Sequence, residues 1–199
     1  MMLETPTDRR KRRTHTAVLD AARSLFLEHG YRSTTIEMLA SAADVAVSSI
    51  YANFAGGKAD VYAALAWHTT TTHVDEMKGS TSIVDAFDRY VTFHRKNPLA
   101  LRLLSLYDVA TTESELVALA KPRIDAALQA LVETVTRDIT ASGCDTDPRV
   151  LVLTTWAAVN GAVSLRQRGV VDEKTLDAML AVTRGDLQGH ITEDSHAHR

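Results

Sequence analysis

The chain has 199 residues, enough for one large domain or two small ones with a buried core. A hydrophobic content of 45% with 9 Gly and 4 Pro excludes a disordered or collagen-like chain. The single cysteine, Cys144, excludes an intrachain disulfide and a paired-cysteine metal site. The net charge of −3 gives no overall pull toward nucleic acid. Its distribution is more informative: five basic residues run consecutively from Arg9 to Arg13. No apolar run reaches the roughly 18 residues of a membrane span, and no secretory leader pattern follows the charges. The expectation is a soluble cytoplasmic protein.

Long alternating β-branched runs are missing, while apolar residues recur at helical spacing, so the expected fold is all-α with about nine helices. Residues 1–13 read as a basic disordered arm. Such a run can be a solvated tail or an arm on phosphates, and composition leaves both open. Thr14 or Thr16 can cap a first helix to about His29, with Val18, Ala21, Ala22, Leu25 and Phe26 inward and Gly30 as its stop. Two short stripes follow: Ile36, Leu39, Ala40, Ala43, then Val47, Ile50, Tyr51, Phe54. Only Asp44 to Ala46 separate them, so the two helices must cross steeply. This is either a helix-turn-helix or a hairpin in an ordinary bundle. Asp44 falls where the turn needs a positive φ, which Asp tolerates better than most residues.

Beyond Ala55-Gly56-Gly57, a fourth helix runs from Lys58 to about Met77, with Val61, Leu65 and His68 along its stripe. The next runs from Thr81 or Ser82 to Asn97, with Phe87, Tyr90 and His94 on one side. Leu99 to about Ala110 reads as a further helix. Thr111 or Thr112 then caps one kinked helix through Pro122 to about Ala141, because its stripe keeps phase across the proline. Residues 149–168 and 172–188 form the last two helices, and 191–199 read as a disordered tail.

The stretch from Ala17 to Val61, with LFLEHGY ending helix 1, the Thr-Thr start of helix 2, the small Ala40 and IYANF closing helix 3, resembles the TetR family of bacterial transcriptional regulators. Departures are Asp44 where Gly is usual, Ala46 where Ser or Thr is usual, and a connection after Phe54 that is one residue longer. The resemblance implies a helix-turn-helix domain at 14–60 (about 35–54 for the motif itself). It implies an effector-binding and dimerisation bundle at 61–190, with the homodimer formed through about 149–188. Small residues Ala157, Ala158, Gly161, Ala162 and Ser164 independently suit close helix contact there.

Helix 3 is expected to bury Val47, Ile50, part of Tyr51 and Phe54, leaving Ser48, Ser49, Ala52 and Asn53 outward. With no Arg or Lys among these, bidentate guanine contact is excluded. Readout would rest on Asn53, on the serine hydroxyls, and on thymine-methyl contacts from Ala46, Val47 or Ala52. The resemblance adds Thr34, Thr35, Tyr51 and Lys58 as phosphate contacts, with Arg32 and the basic arm behind them. Trp67, Phe87, Tyr90, His94, Tyr107, Trp156 and Asn160 are expected to line an effector cavity, and the lack of charge among them favours an uncharged apolar ligand. No cofactor or metal is called for.

The expected function is a homodimeric repressor released from a palindromic DNA operator by such a ligand. One competitor is a DNA-binding regulator without an effector. The other is a helical enzyme, against which stands the absence of HExxH, GxSxG and phosphate-loop motifs.

Overall fold

The computed structural model describes residues 3–191, and these hold nine α-helices. The helices are α1 (Arg9–Ser33), α2 (Ile36–Ala42), α3 (Val47–Asn53), α4 (Lys58–Met77), α5 (Ile83–Lys96), α6 (Ala100–Leu104), α7 (Glu115–Ser142), α8 (Pro148–Gln167) and α9 (Glu173–Gly189). The all-α reading therefore holds. Packing divides the chain into two compact units. One runs to Thr72 and takes in Leu99–Ala127; the other comprises His73–Pro98 and the chain from Leu128 on. Two dividing points fall inside α4 and α7 and the third between α5 and α6, whereas the sequence boundary near residue 60 marked a functional division.

In the first unit, α1 begins earlier than expected. Arg9 to Arg13 are not a disordered arm; they form the opening turns of α1, where the Asp8 carboxylate caps the helix by accepting from Lys11 N at 2.8 Å. Thr14 and Thr16 are therefore interior residues. No acidic residue sits in this first turn, so five cations crowd the positive end of the helix dipole. That arrangement is locally unfavourable, and the basic side chains stay exposed. Gly30 provides the expected break, at φ 77.

Phe26, Leu39, Ile50 and Phe54 are buried, as the expected core requires, but Ile36 and Val45 are only half-buried. His15 closes the bottom of this core by stacking on Phe54 at 5.0 Å between centroids. From Val61 to Ala66 every residue of α4 is buried, so this stretch is covered on all sides rather than along one stripe. The stripe continues through Thr69 and His73 to Met77, all buried, while His68 is exposed, contrary to expectation.

α6 is a single short helix and stops well before Ala110. Leu106 adopts a left-handed φ of 49, and Tyr107 N donates to Arg102 O at 2.9 Å, which closes the helix. The chain released by this turn carries Asp108 and Glu113 back to α1 and α4, as described below. Ser114, rather than Thr111 or Thr112, caps α7 by accepting from Val117 N. α7 runs through Pro122 as one helix, as expected.

In the second unit, Ser82, Asp147 and Asp172 cap α5, α8 and α9 through their side-chain oxygens. Ion pairs join α5 to α9 at the surface, Arg184 to Asp88 at 2.9 Å and Arg95 to Asp177. Ile191 pairs with Cys144, and the rest of the expected tail lies outside the described residues.

Candidate nucleic-acid interface and effector cavity

The motif is assembled from three short-range constraints. Thr35 caps α2, its hydroxyl accepting from Met38 N at 3.2 Å. Asp44 takes the left-handed turn conformation with φ 52, as its place in the sequence required. Ala46 stands at the start of α3 without a side-chain cap. The helix is anchored by Ile50 and Phe54 alone, because Val47, expected inward, is 36% exposed and Tyr51 is 50% exposed. The outward surface is thus Ala46, Val47, Ser48, Tyr51 and Ala52, with Ser49 half-buried.

Several expected DNA contacts are committed elsewhere. The Asn53 amide donates back to Ser49 O at 2.8 Å, and its Oδ1 is buried with no hydrogen-bond partner among the described residues, so the side chain is not presented to a base edge. Thr34 is fully buried and its hydroxyl is shared between Gly30 O and Leu25 O, which withdraws it from phosphate. Lys58 Nζ donates to Tyr31 O at 2.7 Å, to Thr34 O at 2.8 Å and, more weakly, to Arg32 O at 3.4 Å. It also lies 4.4 Å from the Tyr31 ring centroid. Its three N–H groups are therefore used in tying the carbonyls at the end of α1 to the start of α4. Burial pulls its pKa down, with Glu113 acting the other way. Arg32, Thr35 and the Arg9–Arg13 turns remain exposed.

A brace that the sequence did not reveal holds this head. Tyr31 Oη donates to Glu113 Oε2 at 3.0 Å, while Glu113 Oε1 accepts from Ala110 N at 2.8 Å. Tyr62 Oη donates to Asp108 Oδ2 at 2.9 Å, and Arg102 forms a two-pronged pair with the same carboxylate. Burial, then the adjacent carboxylates, push both phenols up. Tyr31 and Tyr62 pack edge to face at 5.1 Å between centroids, and Phe26 lies tilted against both at 5.7 and 5.6 Å. The tight Gly56-Gly57 turn matters here. A Cβ on Gly56 would come 2.4 Å from Asp60 Oδ1, whose partner oxygen takes the Gly56 N–H, and Gly57 has φ 63 against the Tyr51 ring.

The second unit contains an apolar cavity walled by Met77, Phe87, Tyr90, Val132, Trp156 and Leu187 among others. Three expected lining residues, Phe87, Tyr90 and Trp156, are therefore there. Asn160 stands behind, accepting from Tyr90 Oη at 2.6 Å. His94 is buried against the Tyr90 ring at 4.5 Å. The Trp156 indole N–H affects the Tyr90 phenol but lies outside hydrogen-bond geometry. Trp67 and Tyr107 belong to the other unit and do not line it; Tyr107 is 79% exposed because the Leu106 turn throws it outward. His73 was missed, although its four-residue spacing from both Thr69 and Met77 would have placed it on the buried stripe.

Among the described residues, no helix is long and apolar enough to cross a membrane. A family profile described as bacterial regulatory proteins, tetR family, matches residues 18–65, the segment that forms the helix-turn-helix and the start of α4. No curated protein matches the chain significantly in sequence. Solved structures share the fold. A TetR-family transcriptional regulator from Cytophaga hutchinsonii is 16% identical with a TM-score of 0.70, over 95% of this chain and 100% of that one. The fatty acid degradation regulator FadR from Bacillus halodurans is 21% identical with a TM-score of 0.64, over 94% and 97%. A TetR-family regulator from Agrobacterium tumefaciens is 18% identical with a TM-score of 0.66, over 92% and 100%.

Proposed function

We infer, from a chain whose residues 18–65 are a TetR-family DNA-binding domain, that the protein is a cytoplasmic homodimeric repressor that leaves a palindromic operator when a small apolar molecule binds its second unit. The observation that carries the DNA half is the exposed face of α3, Val47, Ser48, Tyr51 and Ala52, beside an exposed basic start of α1. Five cations at the positive end of a helix dipole are disfavoured in isolation, and phosphates would reverse that penalty. Base readout through methyl and hydroxyl groups is modest, so backbone contacts and DNA shape supply much of the binding.

The dimer is supported by the outer face of α8 and α9. Val150, Leu153, Ala157, Ala158 and Gly161 on α8, with Val182 and Gly185 on α9, are exposed, Val182 at 73%. A Cβ on Gly161 or Gly185 would meet nothing within 4 Å, so intrachain packing does not demand these glycines. A second copy approaching closely does. Ala162, by contrast, is buried within its own chain.

Two reading heads on one dimer bind half-sites about one helical turn apart or a multiple of it, and a ligand that changes their separation releases the operator. Selection of bound sequences from random DNA, together with sedimentation of Gly161→Arg, tests this. A two-fold symmetric site, lost with the dimer, is expected. Selection of an asymmetric site by a monomer would refute it.

A further inference from the structure

The ring nitrogens of His73 and His94 are buried and have no hydrogen-bond partner among the described residues. Folded proteins pair nearly all such groups, because a buried donor or acceptor left unpaired carries its full desolvation penalty. Among the described residues, no other Asp, Glu, Lys, Arg or His of the second unit is buried. The two imidazoles lie 5.7 Å apart between centroids, and the Tyr90 ring packs on both, at 5.3 Å from His73 and 4.5 Å from His94. Tyr90 is also a wall of the apolar cavity, so one ring touches both the cavity and the histidines.

We propose that His73 and His94 are the polar end of the effector site, and that the ligand is an uncharged molecule with a compact apolar body and one hydroxyl group. This rests on reading the cavity as an effector site. Burial holds His73 down to about 4 and His94 to about 3, with His73 adding to the effect on His94, so the pair is neutral near pH 7. Each neutral imidazole has one donor and one acceptor, and a hydroxyl is the smallest group that complements both. One oxygen at about 2.8 Å from a nitrogen of each ring bridges a pair spaced in this way. The head group reaches them when the Tyr90 ring turns aside and leaves Asn160. A carboxylate or ammonium would be buried there without a counter-charge, which disfavours fatty-acid anions and amines.

Calorimetric titration of the full-length protein at pH 7.5 with 4-ethylphenol, ethylbenzene and 4-ethylbenzoate tests this, using wild type, His73→Phe and His94→Phe. The phenol is expected to bind tightest. Each variant should weaken it about 3- to 10-fold, the worth of a neutral hydrogen bond, and leave ethylbenzene unchanged. Both variants should melt no earlier than wild type, since each removes unpaired nitrogens. Equal binding of 4-ethylbenzoate, or unchanged phenol binding in both variants, overturns the inference and leaves the apolar cavity standing as an effector site. Earlier melting of both variants shows that the histidines hold structural bonds and overturns it as well. Binding of none of the three removes the effector reading, and this inference with it.

Discussion

The Tyr31–Tyr62 cluster of the first unit and the Tyr90–His73–His94 cluster of the second are made of similar parts. Each packs rings in T-shaped or tilted contact around buried polar atoms. In the first, each phenol has a carboxylate and Lys58 has its carbonyls. In the second, only Tyr90 has found a partner, in Asn160. A satisfied network holds one arrangement firmly, whereas an unsatisfied one keeps binding capacity in reserve at the expense of stability. The first suits a brace beneath a reading head; the second suits a site that must respond.

The sharpest way to break this contrast is acid. The histidines of the second cluster have folded pKa values near 4 and 3, below their ordinary 6.5. Their neutral forms are favoured in the folded state, so the fold carries no protonation penalty from them above about pH 6.5, and its stability is highest there. Stability is lost as the pH falls from there toward 4. The loss approaches roughly 1.4 kcal/mol per histidine for each pH unit. Thermal melts between pH 7.5 and 4.5 should therefore converge on a flatter profile in a His73→Phe/His94→Phe double variant. Parallel profiles in the two proteins would mean that the imidazoles are not desolvated.

In the brace, Asp108→Ala removes the shared acceptor of Tyr62 and Arg102 and should destabilise by about 2–4 kcal/mol in denaturant unfolding. A loss under about 0.5 kcal/mol would show that the network is ornamental. Lys58→Met should lose about 1–3 kcal/mol of stability, because the Tyr31 and Thr34 carbonyls lose a charged donor. Its salt dependence of DNA binding should be unchanged; a slope lower by about 1 would return Lys58 to the phosphate contacts. The smallest effect is expected at the reading face. Asn53→Ala should alter the selected operator by less than about 0.5 kcal/mol at any position, since its amide is bound to Ser49 O. Specific relaxation at one base pair, worth about 1–3 kcal/mol, would show that Asn53 swings out to read it.

Local chemistry by itself determined the all-α class and most helices though not the start of α1 or the end of α6, together with the turn at Asp44, the stop at Gly30, the passage of α7 through Pro122 and the family resemblance of the N-terminal segment. These depend on contacts within a few residues, which spacing and residue type express directly. Periodicity also brought Phe87, Tyr90 and Trp156 to one cavity, since each lies on a strongly apolar stripe. Only the tertiary structure decided which polar side chains are free. Lys58 has the chemistry of a DNA contact, yet it is held by the Tyr31 and Thr34 carbonyls 27 and 24 residues away, whereas Thr34 and Asn53 are withdrawn by carbonyls four residues back, a competition that residue type alone leaves open. Tyr62 meets Asp108 across 46 residues of sequence and Tyr31 meets Glu113 across 82, and His73 acquires its significance from an α5 partner. Such pairings leave no periodic trace, because a hydrogen bond constrains two atoms in space and nothing along the chain between them.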